Sequence, residues 1–196
     1  MRQPEVSPVF NKTFEAFCKR PRYISSCGGT RSGKTFSNLQ LLIALAESKS
    51  CIISVVSETF PHLKRGAIRD FTNIMGDQFE ESRWSKTDSI YKFPNGSILE
   101  FFSADSPAKV HGPARDYLFL NEAQNISYDI ARQLFVRTRQ RVIIDYNPTH
   151  TFWVNESIES LDNCMQIHST YKDNYNSKTG ETFLSLEQLN EIESNQ

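Results

Sequence analysis

A short glycine-rich segment, GGTRSGKT at positions 28–35, has residue types and spacing that suit the binding of phosphate groups. It matches the pattern GxxxxGK(S/T) at every constrained position, and it lies between an expected strand and an expected helix. In such a loop, backbone N–H groups and the helix N-terminus point at the phosphates, Lys34 adds a positive charge, and the Thr35 hydroxyl can ligate Mg²⁺. The segment therefore predicts binding of ATP and Mg²⁺ through Gly28, Gly29, Thr30, Arg31, Ser32, Gly33, Lys34 and Thr35.

Arg31 lies inside this loop, and two positions are open to its side chain. It could extend into solvent, as surface arginines commonly do, or it could turn back toward the γ-phosphate and stabilise the charge of the transition state. The residue pattern leaves both positions open, so Arg31 is a candidate catalytic residue.

A second candidate segment, at 117–122, carries polar residues at the end of an apolar strand. Four residues, YLFL, lead into Asn121 and Glu122. In the P-loop fold, a buried strand that we expect beside the phosphate-loop strand ends in an acidic pair, the first residue directed at Mg²⁺ and the second at the attacking water. Glu122 is therefore predicted to be the general base. The alternative is that Glu122 only caps the following helix.

Asn121 departs from the aspartate that is usual at its position. Its amide oxygen could accept a hydrogen bond from a metal-bound water, so we predict that Asn121 and Thr35 form the metal site. The amide lacks the charge that attracts the metal, which could weaken the affinity for Mg²⁺.

Alternating strand and helix patterns predict an α/β fold of the P-loop type with an additional strand (ASCE type). A mostly parallel central sheet should be flanked by helices, with an antiparallel hairpin near residues 89–102, because Asn95 and Gly96 separate two β-favouring runs. Strands are expected at 22–27, 51–57, 89–93, 98–102, 117–120, 141–145 and 165–169, and helices at 33–48, 61–75, 127–137, 152–160 and 186–194.

Length and composition favour one cytosolic domain. The 196 residues suit a single core, and a net charge of −1 excludes a generally basic nucleic-acid-binding surface. Cys18, Cys27, Cys51 and Cys164 form no metal-binding or disulfide pattern, which indicates reduced thiols. The longest apolar stretch is far shorter than a membrane span, so we expect a cytoplasmic location.

Four segments together give the chain a specific resemblance. They are GGTRSGKT at 28–35, GSILEFFSADSPAKVHGPARDYLFLNEAQN at 96–125, DYNPTHTFWV at 145–154 and HSTYKDN at 168–174. In order and spacing, they resemble the N-terminal ATPase domain of a tailed-bacteriophage terminase large subunit. The first segment alone is generic to P-loop proteins, but the four together cover most of the chain.

The resemblance implies a motor that hydrolyses ATP to move double-stranded DNA into the procapsid. It implies a ring of subunits on the portal protein, a terminase small subunit as partner, and the host cytoplasm as location. It also implies a nuclease domain after the ATPase domain. We expect residues 1–196 to form the ATPase domain alone, without nuclease activity.

The resemblance also suggests roles for two further residues. Asn147 lies where terminases carry a coupling motif that senses the γ-phosphate, although an Asn-Pro turn would explain the same local sequence. Arg115, chosen over Lys109 and His111 in an expected loop, is a candidate for an arginine that reaches the neighbouring subunit's nucleotide.

Two other functions remain open at this stage. One is a helicase-like translocase or another small P-loop ATPase, although helicase motifs such as SAT or QxxR are absent. The other is a nucleotide-dependent switch with little turnover, which the substitution of asparagine at position 121 keeps open.

Overall fold

The computed structural model describes residues 5–106 and 110–194, which form one sheet with helices on both faces. The strands are β1 Tyr23–Gly28, β2 Ile52–Ser57, β3 Trp84–Ser85, β4 Ile90–Lys92, β5 Ile98–Ser103, β6 Arg115–Leu120, β7 Thr138–Tyr146 and β8 Cys164–Ser169. The helices are α1 Pro8–Cys18, α2 Lys34–Ser48, α3 Phe60–Leu63, α4 Arg69–Met75, α5 Tyr128–Val136 and α6 Leu186–Ser194. None of the helices in the described ranges is long and apolar enough to cross a membrane.

The sheet has the strand order β3-β4-β5-β2-β6-β7-β1-β8. The six strands from β5 to β8 in this order are parallel, whereas β3, β4 and β5 pair antiparallel at one edge. Gly96, with φ of +86°, makes the tight turn between β4 and β5. The expected fold class, a mostly parallel sheet with an edge hairpin, is confirmed.

One expectation about the sheet is wrong. The strand that ends at Asn121 and Glu122, β6, does not lie beside the phosphate-loop strand, because β7 is inserted between β6 and β1. In a parallel sheet the carboxyl ends of neighbouring strands meet at one edge. The residues that follow β7 therefore lie between the loop at 28–35 and Glu122.

Apolar side chains from both faces of the sheet explain why the parallel strands are almost continuously buried. On one face, Phe119 and Ile143 pack with α1, α2 and α4. On the other, Leu120 and Ile144 pack with α5 and with the π-helical turn Val154–Ile158. Successive side chains of β6 and β7 thus pack against opposite faces of the sheet. This packing fixes the orientation of the two strands and the position of their carboxyl ends.

The remaining differences between expected and observed elements are local. Helix α1 was not expected; the Ser7 hydroxyl begins it by accepting a hydrogen bond from the Phe10 N–H at 3.2 Å. The expected helix at 61–75 contains a π-helical turn, Lys64–Ile68, between α3 and α4. Strand β7 starts three residues earlier than expected, and α6 has the expected bounds.

The junction between β1 and the phosphate loop generates a first prediction. A Cβ atom added at Gly28 would lie 2.6 Å from the Ser169 carbonyl oxygen and 2.9 Å from the Ser32 hydroxyl, whereas one added at Gly29 meets open space. Overpacking of this kind costs about 1–3 kcal/mol. Gly28→Ala should therefore lower the free energy of unfolding in a urea titration, and Gly29→Ala should leave it nearly unchanged. Equal effects of the two substitutions would show that β8 does not restrict this position.

Candidate active site

The phosphate loop is braced from the segment that follows β8. Gly33 has φ of +82°, and a Cβ atom there would lie 2.9 Å from the Asn174 Oδ1 atom. The Asn174 side chain donates a hydrogen bond to the Arg31 carbonyl oxygen at 2.9 Å. Helix α2 begins directly after Gly33, so its free N–H groups face the loop. This is the arrangement in which a P-loop receives phosphate oxygens.

Lys34 is nearly buried, with 7 % exposure, and lies against two acceptors. Its Nζ atom donates to the Asn147 Oδ1 atom at 2.6 Å and to the Gly29 carbonyl oxygen at 3.4 Å. The backbone N–H of Asn147 donates to the Gln124 side chain at 3.3 Å. The structure thus brings together the loop lysine and the asparagine singled out as a possible phosphate sensor.

Asp145, at the carboxyl end of β7, joins the loop to the end of β6. Its completely buried carboxylate accepts hydrogen bonds from the Thr35 hydroxyl at 2.6 Å and from the backbone N–H of Glu122 at 2.6 Å. It also accepts the Asn121 side-chain amide at 3.2 and 3.3 Å. Asp145 begins the segment DYNPTHTFWV, but its local sequence predicts no role for it.

Asn121 is oriented by these contacts in a way that the sequence did not predict. Its Oδ1 atom accepts a hydrogen bond from the Ser57 hydroxyl at 2.8 Å, and its Nδ2 atom faces Asp145 and the Thr35 hydroxyl. A carboxylate only accepts hydrogen bonds, so the NH₂ group must face Asp145. The amide oxygen that we expected to face a metal-bound water is therefore directed at Ser57 instead.

Glu122 has a strained backbone and a partly buried carboxylate. Its φ of +56° lies in the left-handed region, which costs energy for a residue with a side chain and commonly marks functional sites. Its Oε2 atom lies 3.4 Å from the His62 Nε2 atom. Its side chain forms no capping hydrogen bond to the following turn, so the helix-cap alternative is wrong.

The electrostatic surroundings of Glu122 suit a proton acceptor. Desolvation raises the pKa of its carboxyl group above the usual value, and the charges of Asp145 and Glu58 act in the same direction. His62 and Lys34 oppose this shift in pKa. A carboxylate with a raised pKa is a stronger base than an exposed glutamate.

Arg31 occupies neither of the two positions considered from the sequence. With φ of +63°, it directs its Nη1 atom to the Glu191 carboxylate at 2.6 Å and the Gln188 carbonyl oxygen at 3.4 Å, both on α6. A cleft of about 680 Å³ lies beside it, lined by Gly29, Thr30, Arg31, Thr170, Tyr171, Lys172, Glu191 and Ile192. A contact between Arg31 and the γ-phosphate would require this ion pair to open.

Arg115 is not in a loop, which corrects the sequence-based expectation. It is the first residue of β6, at the opposite end of the strand from Glu122, and its side chain is 1 % exposed over the Phe102 ring. Burial lowers the pKa of its guanidinium. A group enclosed in this way cannot reach a neighbouring subunit. His111 is exposed, and Lys109 lies outside the described residues.

The oxygen ligands available around Thr35 suit a metal that is held mainly by nucleotide phosphates. No group of three or more His, Cys, Asp or Glu side chains among residues 5–106 and 110–194 could hold an ion by itself. Thr35 and Asp145 offer a hydroxyl and a carboxylate oxygen, which are the hard ligands that Mg²⁺ prefers, and Mg²⁺ commonly needs only one or two of these beside phosphate.

Comparisons with known proteins identify the family and the fold. The family model described as terminase large subunit, T4likevirus-type, N-terminal matches residues 26–189. The chain belongs to this terminase family. No curated protein matches the sequence.

Solved terminase structures share the fold of this terminase domain. The large terminase of a thermophilic bacteriophage is 17 % identical, with a TM-score of 0.79 over 97 % of this chain and 50 % of that one. The same protein in complex with ATP-γ-S is 16 % identical, with a TM-score of 0.74 over 95 % and 48 %. The ATPase domain of the Thermus phage P74-26 large terminase is 16 % identical, with a TM-score of 0.53 over 76 % and 75 %. The chain thus spans about half the length of the first of these large terminases.

The position of Lys34 in this terminase domain generates a second prediction. Lys34→Ala removes the ammonium group that lies in the loop and donates to Asn147 and the Gly29 carbonyl oxygen, and a hydrogen bond to a charged group contributes about 1.5–3 kcal/mol. Affinity for ATP should therefore fall by roughly one to two orders of magnitude in titration calorimetry. Lys86→Ala, at an exposed site between β3 and β4, is the control and should bind like the wild type. Equal affinity of Lys34→Ala and wild type would exclude the loop as the phosphate site.

Proposed function

We propose that this chain is the ATP-hydrolysing domain of a phage DNA-packaging motor. The observation that carries the proposal is the convergence of Lys34, Glu122 and Asn147, which follow β1, β6 and β7 and meet at one edge of the sheet. Membership of the terminase family supports the same function, as does the ATP-γ-S complex of the large terminase from the thermophilic bacteriophage.

Binding of ATP begins with an exchange of partners at Lys34. The β- and γ-phosphates occupy the loop at 28–35, and the Lys34 ammonium leaves the neutral Asn147 oxygen for the anionic phosphate oxygens. Bound Mg²⁺ supplies positive charge that offsets the charge developing on the phosphates. The Thr35 hydroxyl oxygen, positioned at the start of α2 by its hydrogen bond to Asp145, would be a ligand of this metal.

Hydrolysis depends on Glu122. Its carboxylate orients the attacking water and accepts a proton from it, and the raised pKa favours that acceptance. The hydrogen bond from the Glu122 N–H to Asp145 fixes the strained backbone that directs this side chain. His62, 3.4 Å from the carboxylate, holds it before the water arrives.

Asn147 links the nucleotide state to the rest of the domain. When Lys34 leaves it, the Asn147 side chain is free to turn its amide toward the γ-phosphate and is released again after hydrolysis. Asn147 directly follows β7, so the change is transmitted to the segment between β7 and β8, which packs through Phe152 and Trp153 onto the sheet.

The role of Glu122 generates a third prediction. Glu122→Gln should bind ATP like the wild type but release phosphate more slowly by a factor on the order of 10² or more, because an amide cannot accept the proton. Glu58→Gln is a matched control, since it removes a nearby charge that acts on Glu122 but keeps the base. Steady-state phosphate release with Mg²⁺ would measure both variants. Turnover of Glu122→Gln near the wild-type rate would show that another group activates the water.

Steady-state phosphate release by the wild-type chain distinguishes a motor domain from a nucleotide-dependent switch. A motor domain turns over ATP, whereas a nucleotide-dependent switch, which Asn121 kept open, binds ATP with little release of phosphate. A helicase-like translocase would also turn over ATP, and DNA packaging by the complete large subunit distinguishes that case.

Membership of the terminase family supports a proposal for the partners of the motor. In the complete protein, the domain acts in a ring on the portal of the procapsid in the host cytoplasm, moves double-stranded DNA, and receives that DNA with the terminase small subunit. A complete subunit that carries Glu122→Gln should join procapsids but package no DNA; packaging by that variant would separate this site from the motor.

A further inference from the structure

Asp145 has a buried carboxylate that forms no ion pair with a cationic side chain of the described residues. The residue is fully buried, and the four hydrogen bonds to its carboxylate come from a hydroxyl, a side-chain amide and a backbone N–H. None of the ion pairs found within residues 5–106 and 110–194 includes it. A buried ion without a counter-charge is costly by several kcal/mol. Binding of a cation beside Asp145 would therefore offset the cost of burying this carboxylate and stabilise the site.

The contact with Thr35 identifies where that cation would lie. In P-loop ATPases, Mg²⁺ is held by the loop Ser or Thr and by an acidic residue at the end of a nearby strand. Thr35 donates its hydroxyl hydrogen to Asp145 at 2.6 Å and accepts a hydrogen bond from the Asn121 side-chain amide at 3.3 Å, which leaves one oxygen lone pair available to a metal. Because β7 pairs with β1, Asp145 at its carboxyl end places a carboxylate beside Thr35 of the loop.

Asn121, in contrast, presents no ligand atom to this point. Its oxygen accepts the Ser57 hydroxyl, and its NH₂ group donates toward Asp145 and Thr35. An NH₂ group repels a cation and binds a carboxylate.

We infer that Asp145, rather than Asn121, provides the carboxylate that holds Mg²⁺ beside Thr35, with Asn121 as a positioning residue that orients this carboxylate. The inference rests on the proposed function, because the metal concerned is the one that accompanies ATP. It moves the acidic residue of the metal site from the end of β6 to the end of β7.

The inference changes what is expected of the substitution Asn121→Asp. That change alone brings two carboxylates together where Asn121 and Asp145 are now 3.2 Å apart, and neighbouring like charges oppose each other's ionisation. The exchange Asn121→Asp/Asp145→Asn instead keeps one carboxylate and one amide, with the donor and acceptor interchanged. The double variant therefore preserves both the hydrogen bond and the charge of the pair.

The test is a Mg²⁺ titration of nucleotide binding rather than of turnover. The wild-type chain, Asp145→Asn and the double variant are titrated with Mg²⁺ in the presence of a fluorescent ADP analogue, and ADP binding is also measured in EDTA. Loss of even an outer-shell partner of a metal ligand typically costs about 10- to 100-fold in metal affinity, and loss of a carboxylate that binds the metal should cost no less. Asp145→Asn should therefore raise the Mg²⁺ midpoint about tenfold or more without weakening ADP binding in EDTA, and the double variant should return it to within about fivefold of wild type.

Each other outcome overturns the inference. A rise of less than about fivefold in Asp145→Asn would place the metal elsewhere, and equal weakening of ADP binding with Mg²⁺ and in EDTA would make Asp145 purely structural. If Asp145→Asn does not fold, as circular dichroism would reveal, the double variant decides, and a midpoint more than about fivefold from wild type in either direction contradicts the inference. Failure of the wild type to bind the ADP analogue would instead reject the proposed function itself.

Discussion

The Asp145 carboxylate, at the end of β7, binds three residues at two other places in the domain: Thr35 at the start of α2, and Asn121 and the Glu122 backbone at the end of β6. Hydrogen bonds to a charged acceptor contribute about 1.5–3 kcal/mol each, more than neutral ones, and burial strengthens them. The same contacts keep Glu122 in its left-handed conformation, which has an intrinsic cost. The Asp145 carboxylate thereby connects the loop that binds phosphate with the residue that activates water.

The insertion of β7 between β1 and β6 makes this junction possible. Adjacent strands in a sheet lie about 4.8 Å apart, so residues after β1 and β6 are roughly two strand spacings from each other and require a bridging group. Asp145 and Asn147 supply that bridge, the first to Thr35 and Glu122, the second to Lys34. Asn121 fits the same scheme, because its amide binds the bridging carboxylate and its oxygen is tied to Ser57 on β2.

How far the sequence predicts this domain depends on whether the signal is local. The phosphate loop, the hairpin at Asn95 and Gly96, and α6 each follow from neighbouring residues, and the structure has them as expected. The role of Asp145 depends on strand order, which periodicity does not encode. The positions of two arginine side chains were not predictable for the same reason. Arg115 packs over Phe102, and Arg31 forms an ion pair with Glu191 on α6. In neither case is the partner a neighbour in the sequence.

Phosphates, metal and attacking water are expected to meet where β1, β7 and β6 end. A crystal structure of the chain with Mg²⁺ and ATP-γ-S tests it most directly. The account predicts phosphates in the loop at 28–35, Mg²⁺ on the Thr35 hydroxyl with Asp145 as its nearest carboxylate, and Lys34 moved from Asn147 to the phosphates. Nucleotide outside this loop, or Mg²⁺ with Asp145 still bound only to its neutral donors and remote from the metal, would contradict it.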